Sequence, residues 1–221
     1  MKKTTLFIIP GACSFGSMVA LEWLGKPYQI GITTPEIRKS PEFLKINPLG
    51  KVGTLIDNNN VIYENLAIIL YMIDQNPSSK IAIPVNSKER IEAYKWLSYL
   101  SSTLHVAFGP LFSPNSFVDE SAIDMFKTNS IKKLKGILSY VDTYLQNNSY
   151  LITKTPTVID AQAYGLLRWS VKFGVLDDFK HIQSFISRMN KEVAVKNALN
   201  IEQNKTDELI NSSFTGYYNF N

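Results

Sequence analysis

The residue best suited to chemistry in this sequence is its single cysteine, Cys13, which follows an apolar run and a Pro10-Gly11 turn. The spacing of the apolar residues after it predicts that a helix begins there. Unpaired amides and the dipole at a helix N-terminus favour an anion, which lowers the pKa of a thiol below its usual value of about 8.5. Ser14 would offer a hydroxyl group to the same anion. The alternative interpretation of Cys13 is a buried, inert thiol.

Two further places carry candidate binding groups. Glu64 and Asn65 open a second apolar helix directly after a predicted strand. Side chains and free amides at such a helix start can hold the amine and carboxylate of a small zwitterion, and plain helix capping is the alternative. His105 lies well along a later helix, where the alternative is a structural histidine. The sequence matches neither the dinucleotide-binding nor the phosphate-loop glycine pattern.

Composition excludes several classes of protein. The 221 residues are 45% hydrophobic and 19% charged, which is typical of a globular chain. One cysteine excludes an internal disulfide, and two histidines beside it argue against a metal site. A net charge of +4 without a long basic block slightly favours small anionic ligands and is only weak support for nucleic-acid binding, so we expect no nucleic-acid partner. The longest apolar run, residues 66–73, is too short for a membrane span. Pro10-Gly11 interrupts the apolar N-terminal stretch that an export signal would need, so we expect a cytoplasmic protein.

The elements that position these residues fall into two parts. Residues 1–79 predict strand, helix, strand, then a short helical piece, a hairpin around residues 57–60 and a helix that is apolar nearly all round. This order predicts a small mixed sheet with helices on its faces. Residues 86–205 show helical apolar spacing and no strong strand, and residues 206–221 read as a loose tail or a flap over a pocket.

A capping box marks the start of the most apolar helix in the second part. The Thr157 hydroxyl can accept from the backbone amide three residues on, and the Asp160 carboxylate can reach back to the Thr157 amide. The helix that follows, residues 161–169, should therefore run through the centre of the helical part.

Taken together, these pieces resemble a glutathione transferase, most closely the bacterial beta class. The resemblance covers nearly the whole chain, to about Ile201, and rests on the order of the following fragments: residues 10–14 after the first strand, 43–52, 61–68, Trp96-Leu97, His105 with residues 110–112, and 157–169. It implies an α/β thioredoxin-like N-terminal domain (1–79), an all-helical C-terminal domain (86–205) and a homodimer. Glutathione would be a co-substrate, with no resident cofactor and no metal.

Carried over by position, the resemblance also implies a site. Cys13 would lie beside the glutathione sulfur, Ser14 could assist it, and His105 would approach from the helical domain. The Val52 backbone would pair with the cysteinyl part of glutathione, and Glu64 and Asn65 would hold its γ-glutamyl end. The implied walls of a pocket for a small hydrophobic electrophile are Phe108, Phe112 and Trp169.

The sequence departs from the family at Gly53, where a cis-proline is usual, and at Asn65, Ser98 and Val106. The Val52-Gly53 bond could therefore be cis or trans. Three functions remain open: conjugation of glutathione to electrophiles, glutathione-dependent reduction of disulfides or peroxides through Cys13, and a non-catalytic dimeric binding module with a degraded glutathione site.

Overall fold

The computed structural model describes residues 4–220. Five strands form one mixed sheet in the order β4-β3-β1-β2-β5: β1 (Thr4–Ile8), β2 (Tyr28–Ile32), β3 (Thr54–Asp57), β4 (Asn60–Tyr63) and β5 (Phe214–Tyr217). Strand β1 is parallel to β2 and antiparallel to β3, and β3 pairs with β4 as the expected hairpin. The predicted strand, helix, strand order and the later hairpin are confirmed. The central strand β1 leads directly into the segment that carries Cys13.

Four helices flank this sheet: α1 (Phe15–Leu24), α2 (Pro35–Lys39), α3 (Pro41–Ile46) and α4 (Asn65–Gln75). The apolar spacing found α1, α3 and α4 but missed α2. Thr34 and Ser40 cap α2 and α3 with their hydroxyl groups, and each helix has proline at its first position. Helix α2 is short and has no buried residue, so it leaves no apolar periodicity to detect.

The second part of the chain contains six α-helices: α5 (Lys88–Tyr99), α6 (His105–Phe112), α7 (Ile123–Gln146), α8 (Val158–Lys172), α9 (Lys180–Met189) and α10 (Val193–Glu202). Helix α8 is buried along almost its whole length, and both halves of the predicted capping box are present. One turn of π-helix, Leu100–Leu104, joins α5 to α6, and the sequence did not predict it. Such turns often occur at functional sites, and this one ends immediately before His105.

Residues 206–220 form neither a loose tail nor a flap over a pocket. Strand β5 extends the sheet of the first domain by pairing in parallel with β2. Beyond it, the rings of Tyr218 and Phe220 pack on Phe7, with centroids 5.3 and 5.5 Å away. The segment thereby covers a strand that would otherwise form an open sheet edge. The pairing of β5 with β2 joins residues far apart in the sequence. The scattered aromatic residues of this segment do not by themselves predict such a pairing.

The two domains meet where α1 crosses α8. A Cβ atom added to Gly16 would lie 2.6 Å from the Cα atom of Gln162, and one added to Gly165 would lie 3.2 Å from the Cβ atom of Phe15. Glycine at both positions therefore lets the two helices approach closely. None of the helices described between residues 4 and 220 is long and apolar enough to cross a membrane.

Candidate active site between the two domains

Cys13 lies between β1 and α1, at the end of the turn formed by residues 10–13, which we call the Cys13 loop. Helix α1 begins at Phe15 with Ser14 as its N-cap, so Cys13 lies one residue outside the helix start. Its side chain is only 8% exposed. Burial raises the pKa of the Cys13 thiol to about 11, and the charge of Glu64 adds to this, while backbone hydrogen bonds and Arg168 oppose it. The expected lowering of the thiol pKa is therefore wrong, because loss of water outweighs the helix terminus.

Ser14 carries an unused hydroxyl group. The residue is 1% exposed, and its Oγ atom has no hydrogen-bond partner among the described residues. Gly53 lies against it, because a Cβ atom there would be 3.1 Å from the Ser14 Cβ atom. The Val52-Gly53 bond, which the sequence left open, is cis. Val52 itself is half-buried beside this contact.

Glu64 and Asn65 have different surroundings although they are adjacent. Glu64 is exposed, and its backbone has φ 71° and ψ 120°, a conformation that residues other than glycine rarely adopt. Residues held in such conformations cluster at binding sites. Asn65 is the first residue of α4 and is buried.

The Asn65 side chain is fully used by the protein. Its Nδ2 atom donates to the Cys13 carbonyl oxygen at 2.7 Å and to the Gln162 side chain, and its Oδ1 atom accepts from Ser17 at 2.6 Å. The amide therefore ties the Cys13 loop and α4 to α8. Ser17 and Gln162, which complete this network, were not identified from the sequence. A signal existed for Gln162, since it is a polar residue within an apolar helix.

A cavity of about 530 Å³ opens beside the Cys13 loop, between the two domains. Its lining comprises Ile9, the Cys13 loop, His105, Phe112, Arg168, Trp169 and Lys172. The rings of Phe112 and Trp169 pack 4.9 Å apart, and the His105 ring lies 5.4 Å from Trp169. The expected wall residue Phe108 is not among them. It is fully buried behind Trp169, with ring centroids 5.3 Å apart, because it points to the core side of α6.

His105 and Glu64 face the same region from opposite domains. Burial lowers the pKa of His105, and the carboxylate of Glu64 acts in the opposite direction. The same carboxylate raises the pKa of Cys13. Glu64 therefore acts electrostatically on both groups, and Cys13 and His105 line the same cavity.

The helical domain holds the Cys13 loop in place through residues that the sequence did not single out. The Arg168 guanidinium makes a two-point ion pair with Glu202, at 2.7 and 3.0 Å, and donates to the Ala12 carbonyl oxygen at 3.2 Å. Glu202 accepts from the Gly11 amide at 2.9 Å, and the Trp169 indole donates to the Gly11 carbonyl oxygen at 2.7 Å. Arg168 is the only charged residue in the apolar run 161–169, and this feature of the sequence could have identified it as a candidate.

These features suit a polar ligand at the start of α4 and an apolar ligand against Phe112 and Trp169. The two ligands would meet at the Cys13 loop. The first amides of α4 have no partners within the helix and favour an anionic group. Within residues 4–220, no group of three or more histidine, cysteine, aspartate or glutamate side chains is arranged to hold a metal ion.

Comparison with known proteins identifies the family. The family models for the glutathione S-transferase N-terminal and C-terminal domains match residues 2–74 and 88–192, respectively. Glutathione S-transferase GST-4.5 of Xanthomonas campestris pv. campestris is 31% identical over 199 residues, which cover 89% of this chain and 98% of that protein.

Solved structures agree with this match. A sphingomonad glutathione S-transferase in complex with glutathione is 31% identical with a TM-score of 0.80, and covers 90% of this chain and 98% of that one. A bacterial beta-class enzyme from Sphingomonas chungbukensis is 30% identical with the same TM-score and coverage. The chain belongs to the glutathione S-transferase family, with the thioredoxin-like first domain and helical second domain that the resemblance implied.

Proposed function

We propose that this protein conjugates reduced glutathione to small hydrophobic electrophiles. The observation that carries the proposal is the apolar cavity of about 530 Å³ that opens directly on the Cys13 loop. In the proposed reaction the glutathione sulfur attacks the electrophilic carbon and forms a C–S bond. The leaving group departs with its bonding pair, and the thiol proton passes to water. No resident cofactor is needed for this chemistry.

Each predicted glutathione contact has a proposed role. Glu64 and the first amides of α4 bind the γ-glutamyl amine and carboxylate, and the Val52 backbone pairs with the cysteinyl part. Asn65 acts as a positioning residue, since its side chain already bonds Cys13, Ser17 and Gln162. This assignment replaces the direct contact to glutathione that the sequence suggested for its side chain.

Ser14 is the proposed donor to the glutathione sulfur. Its buried hydroxyl lacks a partner among the described residues, so it can donate to a thiolate without breaking another hydrogen bond. Hydrogen bonds to charged groups contribute about 1.5–3 kcal/mol. His105 lines the cavity from the other domain and would contact the sulfur or the electrophile.

Reduction through Cys13 is not favoured. The thiolate is the reactive form of cysteine, and a pKa of about 11 leaves very little of it at neutral pH. Burial also restricts access to the sulfur.

The test is steady-state conjugation of 1-chloro-2,4-dinitrobenzene at saturating glutathione. We expect Ser14→Ala to lower kcat/KM by about 10- to 100-fold, from the loss of a hydrogen bond to a charged sulfur. Ser170→Ala is the matched control, because Ser170 is also buried with an unpartnered hydroxyl but belongs to α8 and does not neighbour Cys13 in the chain. Wild-type turnover no faster than the uncatalysed reaction would overturn the proposal. Glutathione binding without turnover would then favour the binding-module alternative.

We also propose that the protein is a homodimer. Several large apolar side chains on β4, α5 and α7 are exposed in the single chain, namely Val61, Tyr63, Ile91, Tyr94 and Tyr140. Exposed apolar groups of this kind mark protein interfaces when they form one surface. Light scattering should give a mass about twice the 25.0 kDa of one chain, and a monomeric mass would contradict the proposal.

A further inference from the structure

The cavity beside the Cys13 loop has a wall of uneven charge. Three of its lining residues carry basic side chains, namely His105, Arg168 and Lys172, and none of its lining residues is acidic. Arg168 is neutralised by its two-point ion pair with Glu202. Burial lowers the pKa of His105, which disfavours the charged imidazolium form.

Lys172 is the remaining charge. Among residues 4–220 it takes part in none of the ion pairs, which are Arg90–Asp74, Lys95–Glu92, Lys135–Asp178 and Arg168–Glu202. The cavity wall therefore presents one uncompensated cation.

The position of this cation is defined by aromatic rings. The Lys172 Nζ atom lies 4.9 Å from the ring centroid of Phe112 and 5.9 Å from that of Phe173. Contacts of an ammonium group with ring faces are attractive, so they hold the charge at the cavity wall.

Helical spacing relates Lys172 to the reacting end of the cavity. Lys172 follows Arg168 by four residues on α8, so both lie on the same face of that helix, about one 5.4 Å turn apart along its axis. Arg168 contacts the Ala12 carbonyl oxygen, next to Cys13. An aromatic ring stacked between Phe112 and the Cys13 loop would thus have its reacting carbon toward the loop and its far end toward Lys172.

We propose that the cavity selects aromatic electrophiles that carry an anionic group, such as a carboxylate or sulfonate, and that Lys172 is the specificity-determining residue that binds this group. This inference deepens the function proposed above and rests on it. Lys172 is exposed at the mouth of the cavity, and the rings of Phe112 and Phe173 shield one side of its ammonium group, so an ion pair there is stronger than one on an open surface.

The reaction itself is unchanged by the anionic group. With an aryl chloride, the glutathione sulfur forms the C–S bond, chloride leaves with the bonding pair, and the thiol proton passes to water. The carboxylate at the far end of the ring keeps its charge throughout. Its contact with Lys172 exists in the bound substrate and in the transition state, so loss of that contact should appear mainly in KM.

The first test measures binding without catalysis. The probes are two fluorescent aromatic molecules, 8-anilinonaphthalene-1-sulfonate, which is anionic, and N-phenyl-1-naphthylamine, which is neutral. We expect Lys172→Met to weaken binding of the anionic probe about five- to tenfold more than binding of the neutral probe, and Lys172→Arg to restore the preference. Lys132→Met, at an exposed lysine on α7 outside the cavity, is the charge-matched control. Phe112→Ala should weaken binding of both probes if both occupy the cavity.

The second test measures selectivity in turnover. The substrates are 4-chloro-3,5-dinitrobenzoate and its methyl ester, and the ratio of variant to wild-type kcat/KM for each substrate cancels their different intrinsic reactivities. Lys172→Met should lower this ratio about five- to tenfold more for the acid than for the ester.

The two tests separate the two proposals. Equal effects of Lys172→Met on the anionic and neutral probes would overturn the role of Lys172, whether or not the protein is a catalyst. Selective loss of the anionic probe together with no turnover of either substrate would instead overturn the conjugation function and leave an anion-selective apolar site.

Discussion

Replacing Gly16 by alanine adds one methyl group at the place where the two domains pack most closely. The new Cβ atom would lie 2.6 Å from the Cα atom and 2.8 Å from the backbone nitrogen of Gln162. Both atoms belong to the backbone of α8, so no side-chain rotation removes the overlap. The helices α1 and α8 must move apart, or the chain must distort around the contact.

The size of the effect follows from two opposing contributions. Overpacking a well-packed core costs about 1–3 kcal/mol, and more where the backbone cannot move. Alanine recovers about 0.5–1 kcal/mol relative to glycine inside a helix. Because the overlap is with backbone atoms, the upper end of the first range applies, and we expect Gly16→Ala to lower the free energy of unfolding by about 2 kcal/mol.

The chain offers a matched control for the same chemical change. Gly136 lies on the exposed side of α7, and a Cβ atom there meets nothing within 4 Å. Only helix propensity remains, so Gly136→Ala should raise the free energy of unfolding by about 0.5–1 kcal/mol. The two glycine-to-alanine changes should thus have opposite signs.

Urea unfolding followed by circular dichroism and tryptophan fluorescence measures both effects. Displacement of α8 should also disturb the Asn65 network that holds the Cys13 carbonyl and Gln162, and lower conjugation activity. A Gly16→Ala variant as stable as wild type would refute the close helix crossing as a constraint on this fold.

Three further perturbations test separate parts of the site. Cys13, with a pKa of about 11, should react with iodoacetamide at pH 7.5 at least about tenfold more slowly than an ordinary cysteine thiol. Its reaction rate should still rise above pH 9. A rate that reaches a plateau below pH 9 would contradict the effect of burial on the pKa. Burial raises the pKa of Asp160 to about 6, so between about pH 6 and 4 the native state binds a proton that the unfolded chain does not, and stability due to this group increases as pH falls. Chemical denaturation should therefore show that the free energy of unfolding of wild type, relative to that of Asp160→Asn, rises by about 1–2 kcal/mol from pH 7.5 to 5. A decrease in this difference over the same pH range would contradict the assigned sign. Glu202→Gln should lower the free energy of unfolding by about 3 kcal/mol, because it leaves Arg168, whose side chain is 15% exposed, without its charge partner. The Arg168→Met/Glu202→Gln double variant should lose less stability. Equal losses in the two variants would argue against the ion pair.

Local patterns in the sequence were sufficient for much of the architecture. The strand before Cys13, the β3–β4 hairpin and the start of α8 all follow from apolar periodicity, turn residues and a capping box, which act between residues close in the chain. The order of these elements, together with the motifs around Cys13 and Glu64, was enough to indicate the family and both domains.

The chemistry of individual side chains depended on contacts across the fold. The position of Cys13 near a helix start predicted a reactive thiol, but burial in the folded chain removed water from the thiol and raised its pKa. Phe108 and Phe112 belong to one helix, yet only Phe112 reaches the cavity. Their exposure depends on how α6 faces α8, which the residues of α6 alone do not specify.

By itself, then, the sequence determined the first four strands and most of the longer helices, with their order, because propensity and capping are short-range effects. Only the tertiary structure decided which polar groups share one space. It brought Arg168 and Glu202 to the Cys13 loop, turned the Asn65 side chain inward and paired β5 with β2. Desolvation and long-range pairing arise when distant segments pack, so the pKa of Cys13 and the charge of the cavity wall exist only in the folded chain.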